Sequence, residues 1–150
     1  MKNLIEIFKT KAEKSFSFGN GTLIELNSQS NALYPLIWMQ FPLTITNNSR
    51  NNIIISQTYN FNLLFLQSGH TTDTQEIANK LFDDMNSIMV GYIQSIQNQF
   101  EQDENNPIIF GNASMINKKQ DNVHFGWSVA VNVTLPVDST LCCNMFEDAV

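Results

Sequence analysis

The side chains able to do chemistry are few and scattered. Two histidines occur, His70 and His124, and neither stands at a spacing from Cys, Asp or Glu that a zinc site uses. One precedes a helix and the other the last strand, so both read as loop histidines. Cysteine is confined to the adjacent pair Cys142-Cys143. Successive side chains do not easily reach disulfide geometry, so no disulfide framework holds this chain. As nucleophile or soft-metal pair they would need a cation or helix N-terminus to depress a thiol pKa, and the flanking sequence supplies neither. Burial against a neighbouring surface is the simpler reading. Carboxylates gather at Asp83-Asp84, beside an apolar stripe, and in the run Glu101-Gln102-Asp103-Glu104, which are solvated faces and not an acid-base pair in a pocket. Glu25 is the one acid within an apolar strand, Leu23-Ile24-Glu25-Leu26, where alternation turns it outward. The scattered glycines form no phosphate-cradling loop. Phe61, Phe65, Phe82 and Trp127 fall on core faces, which argues against a base-stacking platform. The expectation is a chain with no catalytic residue, no metal and no cofactor.

Periodicity supplies the elements that would position these groups. Leu4, Ile5, Phe8, Ala12 and Phe16 recur at three and four, predicting a helix from Lys2 to Phe16. Phe18-Gly19-Asn20-Gly21 breaks it, and Thr22 to Leu26 reads as a short strand. Tyr34 to Phe41 is rich in strand formers, with Pro35 and Pro42 directing it to a sheet edge or a bulge. Leu43 to Thr46 and Ile53 onward pair across the polar tip Asn47 to Asn52, giving a hairpin that projects over residues 43–58. Tyr59, Phe61, Leu63 and Phe65 share one face of the next strand while Leu64 and Leu66 occupy the other, the pattern of a central strand.

Thr72 with Gln75, or Asp73 with Glu76, caps a long helix. Its stripe is Ile77, Leu81, Met85, Ile88, Tyr92 and Ile96, widened by Ala78, Phe82, Met89 and Ile93. The helix ends before Pro107, because the residue ahead of a proline leaves the α region. Ile108 to Ile116 is a strand interrupted at Gly111, followed by a turn at Lys118 to Asn122. Phe125, Trp127, Val129, Val131, Val133 and Leu135 then alternate strictly with small or polar residues, so one face of the last strand packs on the long helix. A tail runs from Pro136 to Val150. The expected fold is α+β and a single domain over residues 1–150. A mainly antiparallel sheet is covered by one long amphipathic helix and a short N-terminal one, in two layers.

Composition limits the partners. Of 150 residues 15% are charged against roughly 25% in an ordinary soluble domain, while 20 are Asn, so hydration rests on neutral amides. The net charge of −6 gives no basic footprint for gripping phosphates, which excludes ordinary DNA binding but not a wall that lets DNA pass. Charge is uneven. Residues 1–14 hold four Lys and two Glu, a balance of +2 that leaves −8 for the rest. Glu6 interrupts the first apolar stretch, unlike a signal peptide, and the densest apolar run, Phe61 to Leu66, is far short of the roughly 18 residues that span a bilayer. The chain is expected to stay where it is made, off the membrane.

Four local patterns carry a resemblance over nearly the whole chain. They are the short N-terminal helix leading to Gly21-Thr22-Leu23-Ile24-Glu25-Leu26-Asn27; Tyr34-Pro35-Leu36-Ile37-Trp38; an amphipathic helix after a Tyr-x-Phe-x-Leu strand; and Gly126-Trp127-x-Val129 followed by Cys142-Cys143. Together they resemble small neck or tail-completion proteins of tailed bacteriophages, especially crAss-like phages of Bacteroidetes hosts. The order of strands and one long helix is also similar to the tail-terminator and head-tail joining fold. The resemblance implies a virion structural protein assembled in the bacterial cytoplasm, not an enzyme. Identical copies would form a ring that contacts portal, neck or tail proteins and leaves a lumen through which DNA passes without specific binding. Subunit-interface candidates on this reading are Asn47, Asn48, Arg50 and Asn51 in the hairpin, and Leu141, Cys142, Cys143, Met145 and Phe146 in the tail. The competing expectation is a small-molecule binding module or small enzyme whose site lies between sheet and tail and uses Glu25, His70, His124 or Cys142.

Overall fold

Alternating apolar residues build one sheet, and two helical stripes cover one of its faces. The computed structural model describes residues 2–12, 16–27, 34–69, 73–100, 107–118 and 124–137. Its elements are α1 (Lys2–Ala12), β1 (Ser17–Gly21), α2 (Leu23–Asn27), β2 (Leu36–Arg50), β3 (Ile53–Ser68), α3 (Gln75–Phe100), β4 (Ile108–Lys118) and β5 (His124–Pro136). The strands lie in the order β1-β2-β3-β5-β4. Every neighbouring pair is antiparallel except β1 with β2. This is the expected α+β architecture, a five-stranded sheet with one long helix and one short N-terminal helix. Among the described residues no helix is long and apolar enough to cross a membrane.

The main core lies between the sheet and the helices α1 and α3. Ile37 and Met39 of β2, Phe61, Leu63 and Phe65 of β3, and Val129, Val131 and Val133 of β5 point into it, each at alternate positions. Leu4, Phe8 and Ala12 of α1 and Met85, Met89, Tyr92 and Ile96 of α3 close it from above. Edge-to-face pairs of Phe8 with Phe61 and of Phe65 with Tyr92, both at 5.5 Å, lock the layers. The Tyr92 hydroxyl donates to the Phe8 carbonyl at 2.7 Å, tying α3 to α1. Toward the start of β5, Phe82 packs edge-on against Phe125 and Trp127, and the Trp127 indole donates to the Phe82 carbonyl at 3.0 Å. β3 has neighbours on both sides and is buried on both faces from Leu63 to Leu66.

Several sequence expectations need correction. The segment Phe18 to Gly21 is not a break: it forms β1, and Thr22 to Leu26 is not a strand but the approach to and body of the helix α2. The glycines there serve close approach. A Cβ on Gly19 would stand 2.5 Å from the Trp38 ring, and Gly21 holds φ +142, a conformation that side chains resist. The helix α1 is described to Ala12, and the Phe16 amide still donates to the Ala12 carbonyl at 2.8 Å. At the start of α3 the Thr74 hydroxyl accepts from the Ile77 amide at 3.3 Å, a cap one residue beyond those expected; Thr72 lies outside the described residues. With that start, Ala78, Phe82, Met85, Met89, Tyr92 and Ile96 are the buried positions, and Ile77 is exposed. Lys118 belongs to β4 and His124 to β5, not to the turn between them. Pro136 is paired with Ser56 as the last residue of β5, and the rest of the expected tail, residues 138–150, lies outside the described residues. Pro42 does mark a bulge, since the β2–β3 register shifts between Gln40 and Thr44.

Candidate functional site

Two distinct surfaces stand out, one on the face of the sheet turned away from α3 and one at the far end of the β2–β3 hairpin. The first is an apolar recess. Leu64 and Leu66 of β3 reach this face because they alternate with core residues, and Leu36 and Trp38 of β2 join them. The helix α2 closes one side, and its start follows from Thr22, whose hydroxyl accepts from the Glu25 amide at 3.2 Å while donating to the Glu25 carboxylate at 3.3 Å. That reciprocal cap fixes five residues as a helix that strand propensity would not favour. The helix then places Leu26 in the cluster and Leu23 on the rim. The Trp38 indole donates to the Gly21 carbonyl at 3.1 Å and holds the β1–α2 corner against the sheet.

The recess encloses about 180 Å³ and is lined by Leu23, Leu26, Leu64, Leu66 and Ile116, with Gln40, His124 and Ser128 supplying polar atoms. His124 is 3% exposed and its Nε2 is hydrogen-bonded to the Tyr34 hydroxyl at 2.5 Å. This corrects the loop reading of that histidine: the first residue of β5 faces inward, and the phenol supplies the partner a buried imidazole needs. Burial raises the Tyr34 pKa above its ordinary value. Glu25, on the α2 helix bordering the recess, turns its carboxylate to Thr22. His70 and Cys142, the other residues of the small-molecule expectation, lie outside the described residues. Among the described residues no group of three or more His, Cys, Asp or Glu side chains is placed to hold a metal ion. Chemically the recess accepts an aliphatic or small aromatic group and offers a polar edge.

The second surface is the far end of the β2–β3 hairpin. Among the described residues β1 pairs with β2 only from Leu36 to Gln40 and β5 pairs with β3 as far as Ser56, so the end of the hairpin extends beyond both neighbouring strands. Asn51 and Asn52 close the turn with φ values of 53° and 65°, the left-handed pair that a two-residue hairpin requires and that asparagine tolerates. Side-chain amides and hydroxyls stiffen the stem. Asn48 donates to Ser56 at 3.1 Å and to Thr58 at 2.9 Å, Thr58 meets Thr134 at 2.9 Å, and Gln57 donates to Asn47 at 2.9 Å. Of the sequence candidates, Asn47 and Asn48 are therefore rungs within strands, Asn51 is a turn residue, and Arg50 stands exposed beside the turn. Leu141, Cys142, Cys143, Met145 and Phe146 lie outside the described residues.

The tip is apolar as well as polar. Ile45, Ile53, Ile54 and Ile55 are all exposed, Ile53 at 65%. The Val137 amide donates to the Ile55 carbonyl at 3.1 Å, one residue beyond the last β3–β5 pair. Between recess and tip the open face is lined by neutral amides, with Asn60, Asn62 and Asn132 around a shallow groove that includes Gln40 and Ala130. The recess was not anticipated from sequence, although the Thr22-x-x-Glu25 spacing was a readable cap signal for α2. The Tyr34–His124 bond joins residues 90 positions apart and had no local signal.

No protein-family model matches this chain, and a search of curated proteins gives no match.

Proposed function

We propose that this chain is a structural subunit that works by assembling with copies of itself, as a ring in the neck or tail of a phage particle that joins the portal side to the tail and leaves a passage for DNA. The observation that carries the reading is the β2–β3 hairpin. A stiffened hairpin that outruns its sheet and exposes four isoleucines presents apolar surface that an isolated molecule gains nothing by displaying. Two strand margins support it: among the described residues the far half of β2 has no strand neighbour on its outer side, and β4 exposes Ile109 and Met115 along the other edge of the sheet. Unlike surfaces at the two ends of a subunit favour head-to-tail contact, which closes into a ring when the rotation permits. The neutral amide face and the net charge of −6 suit a wall that does not hold phosphates, and the family resemblance supplies the particle.

Native mass spectrometry of the purified full chain, together with peptide mass analysis of purified particles, tests this. A mass equal to a fixed multiple of the subunit and peptides from the particle are expected. A chain that stays monomeric and is absent from particles refutes the reading. The recess favours a second reading, a module that takes a small apolar ligand beside Tyr34 and His124. A ligand that copurifies with the monomer and is bound in the recess would identify it.

A further inference from the structure

We infer that β4 of one copy adds to the outer edge of β2 in the next, residues 113–117 pairing antiparallel with residues 44–48, so that one sheet continues from subunit to subunit. This rests on the ring reading and names its contact. Among the described residues neither edge has a strand neighbour: β1 stops opposite Gln40, and β4 ends the strand order. Neither edge carries the devices that block pairing. Residues 44–48 and 113–117 contain no charged residue and no proline, and the register shifts at Gln40/Thr44, Asn48/Ser49 and Phe110/Ala113 fall outside both stretches. The outward N–H and C=O groups of a regular strand are matched by another strand.

Strand direction and side-chain phase select a second copy as the occupant. β2 and β5 run one way and β3 and β4 the other. Rotation about an axis along the strands keeps these directions, so β4 of one copy meets β2 of the next antiparallel. The faces agree as well. Ile45 pairs with Tyr59 and alternates with Leu43, both packed on the core under the helices, and Met115 pairs with Trp127, which packs on the same core. The bulge in β4 brings Met115 to that face, while Thr44, Thr46, Ser114 and Ile116 alternate to the other. Setting Ile45 opposite Met115 therefore joins two exposed apolar side chains on one face, and sets Thr46 opposite Ser114 and Thr44 opposite Ile116 on the other. In this register Lys118, the last residue of β4, falls opposite Pro42, just beyond the reach of β1. Residues 119–123 have to join Lys118 to its ladder partner His124, and residues 101–106 to join α3 to Pro107, so neither has the length to run along the eleven residues of β4, about 36 Å. Residues 138–150 have the length, and the test separates them from a second copy.

Disulfide capture in the full chain tests the contact, in a background with Cys142→Ser and Cys143→Ser. Ile45→Cys and Met115→Cys are introduced together and singly, and each protein is oxidised at a concentration where native mass spectrometry shows the parent assembled. Side chains directly opposite across two strands stand near disulfide reach. The double variant is expected to give a ladder of covalent multimers beyond the dimer, and neither single variant more than a trace of dimer. Charge adds an independent arm at the same two exposed positions. Ile45→Lys with Met115→Glu should half-assemble at a concentration about fivefold or more below that of Ile45→Lys with Met115→Lys, and equal values overturn the pairing. An assembled parent whose double-cysteine variant gives no ladder overturns it and leaves the ring reading in place. Strong dimer from either single variant, meaning like edge on like edge, overturns it too. So does Met115→Cys in the native-cysteine background if it links to Cys142 or Cys143 within a monomer, which would put residues 138–150 on the β4 edge. A parent that is monomeric throughout and missing from particles removes both the pairing and the ring.

Discussion

Replacing Tyr92 by phenylalanine removes one oxygen from the joint between α1 and α3, and the pH dependence of the loss reports on its burial. The ring is 4% exposed and its hydroxyl donates to the Phe8 carbonyl at 2.7 Å. That carbonyl lies inside α1 and is within helical bonding range of the Ala12 amide, so the variant does not orphan it. The cost at neutral pH is therefore that of one hydrogen bond, about 1 kcal/mol, or about 3 °C in Tm for a domain of this length. Burial also pushes the Tyr92 pKa far above its ordinary value near 10. The folded state thus holds the phenolic proton more tightly than the unfolded chain does. This preference contributes nothing below pH 10 and works against the fold above it, where the unfolded phenol ionises and the folded one does not. The wild-type chain loses about 1.4 kcal/mol through this group by pH 11, and the variant does not. Tyr34, also raised by burial, adds the same loss to both proteins and cancels in the comparison. The expected result is a crossing: Tyr92→Phe is less stable by about 1 kcal/mol at pH 7 and more stable by about 0.4 kcal/mol at pH 11. Guanidinium chloride unfolding followed by circular dichroism at both pH values measures it. An unchanged deficit at pH 11 would refute the desolvated tyrosine and the packing of α1 on α3 that causes it.

Other outcomes are as specific. Gly126→Ala should destabilise the chain more than any other glycine substitution, beyond about 3 kcal/mol, because its Cβ would lie in the Phe65 carbonyl, between β3 and β5; Gly91→Ala, in open space on α3, should stabilise by about 0.5–1 kcal/mol. Thermal unfolding of the two variants checks both signs. Asn51→Val should destabilise the hairpin by about 1–2 kcal/mol, since a β-branched residue resists φ of 53°, and Asn52→Gly should be neutral or stabilising; amide hydrogen exchange across Asn48 to Thr58 reads the effect locally. Thr74→Ala should lose about 1 kcal/mol with the α3 cap, visible as a lower denaturant midpoint.

The elements read most directly from the sequence were those whose apolar period ran long. The strict alternation from Phe125 to Leu135 gave β5 and the face it buries, and the double-sided run to Leu66 marked β3 as central. The stripe of α3 was legible to within one residue of phase. Thr72, Asp73 and Thr74 all have the chemistry to cap, so the sequence alone did not single out the Thr74 hydroxyl that meets the Ile77 amide. The glycines at 19 and 21 misled for a related reason. A glycine signals either a turn or a close approach, and here the approaching group, Trp38, is brought alongside by the parallel pairing of β1 with β2.

By itself the sequence determined the fold class, the long hairpin across residues 43–58 and the low charge of the surfaces, because these follow from periods, turn residues and counts along a few dozen neighbouring positions. Tertiary structure alone decided that Leu23 and Leu26, Leu64 and Leu66, Ile116 and His124 meet in one recess, and that Tyr34 supplies the bond to that histidine. Those residues come from four elements and up to about a hundred positions apart. Their meeting depends on strand order and register, which no local pattern encodes.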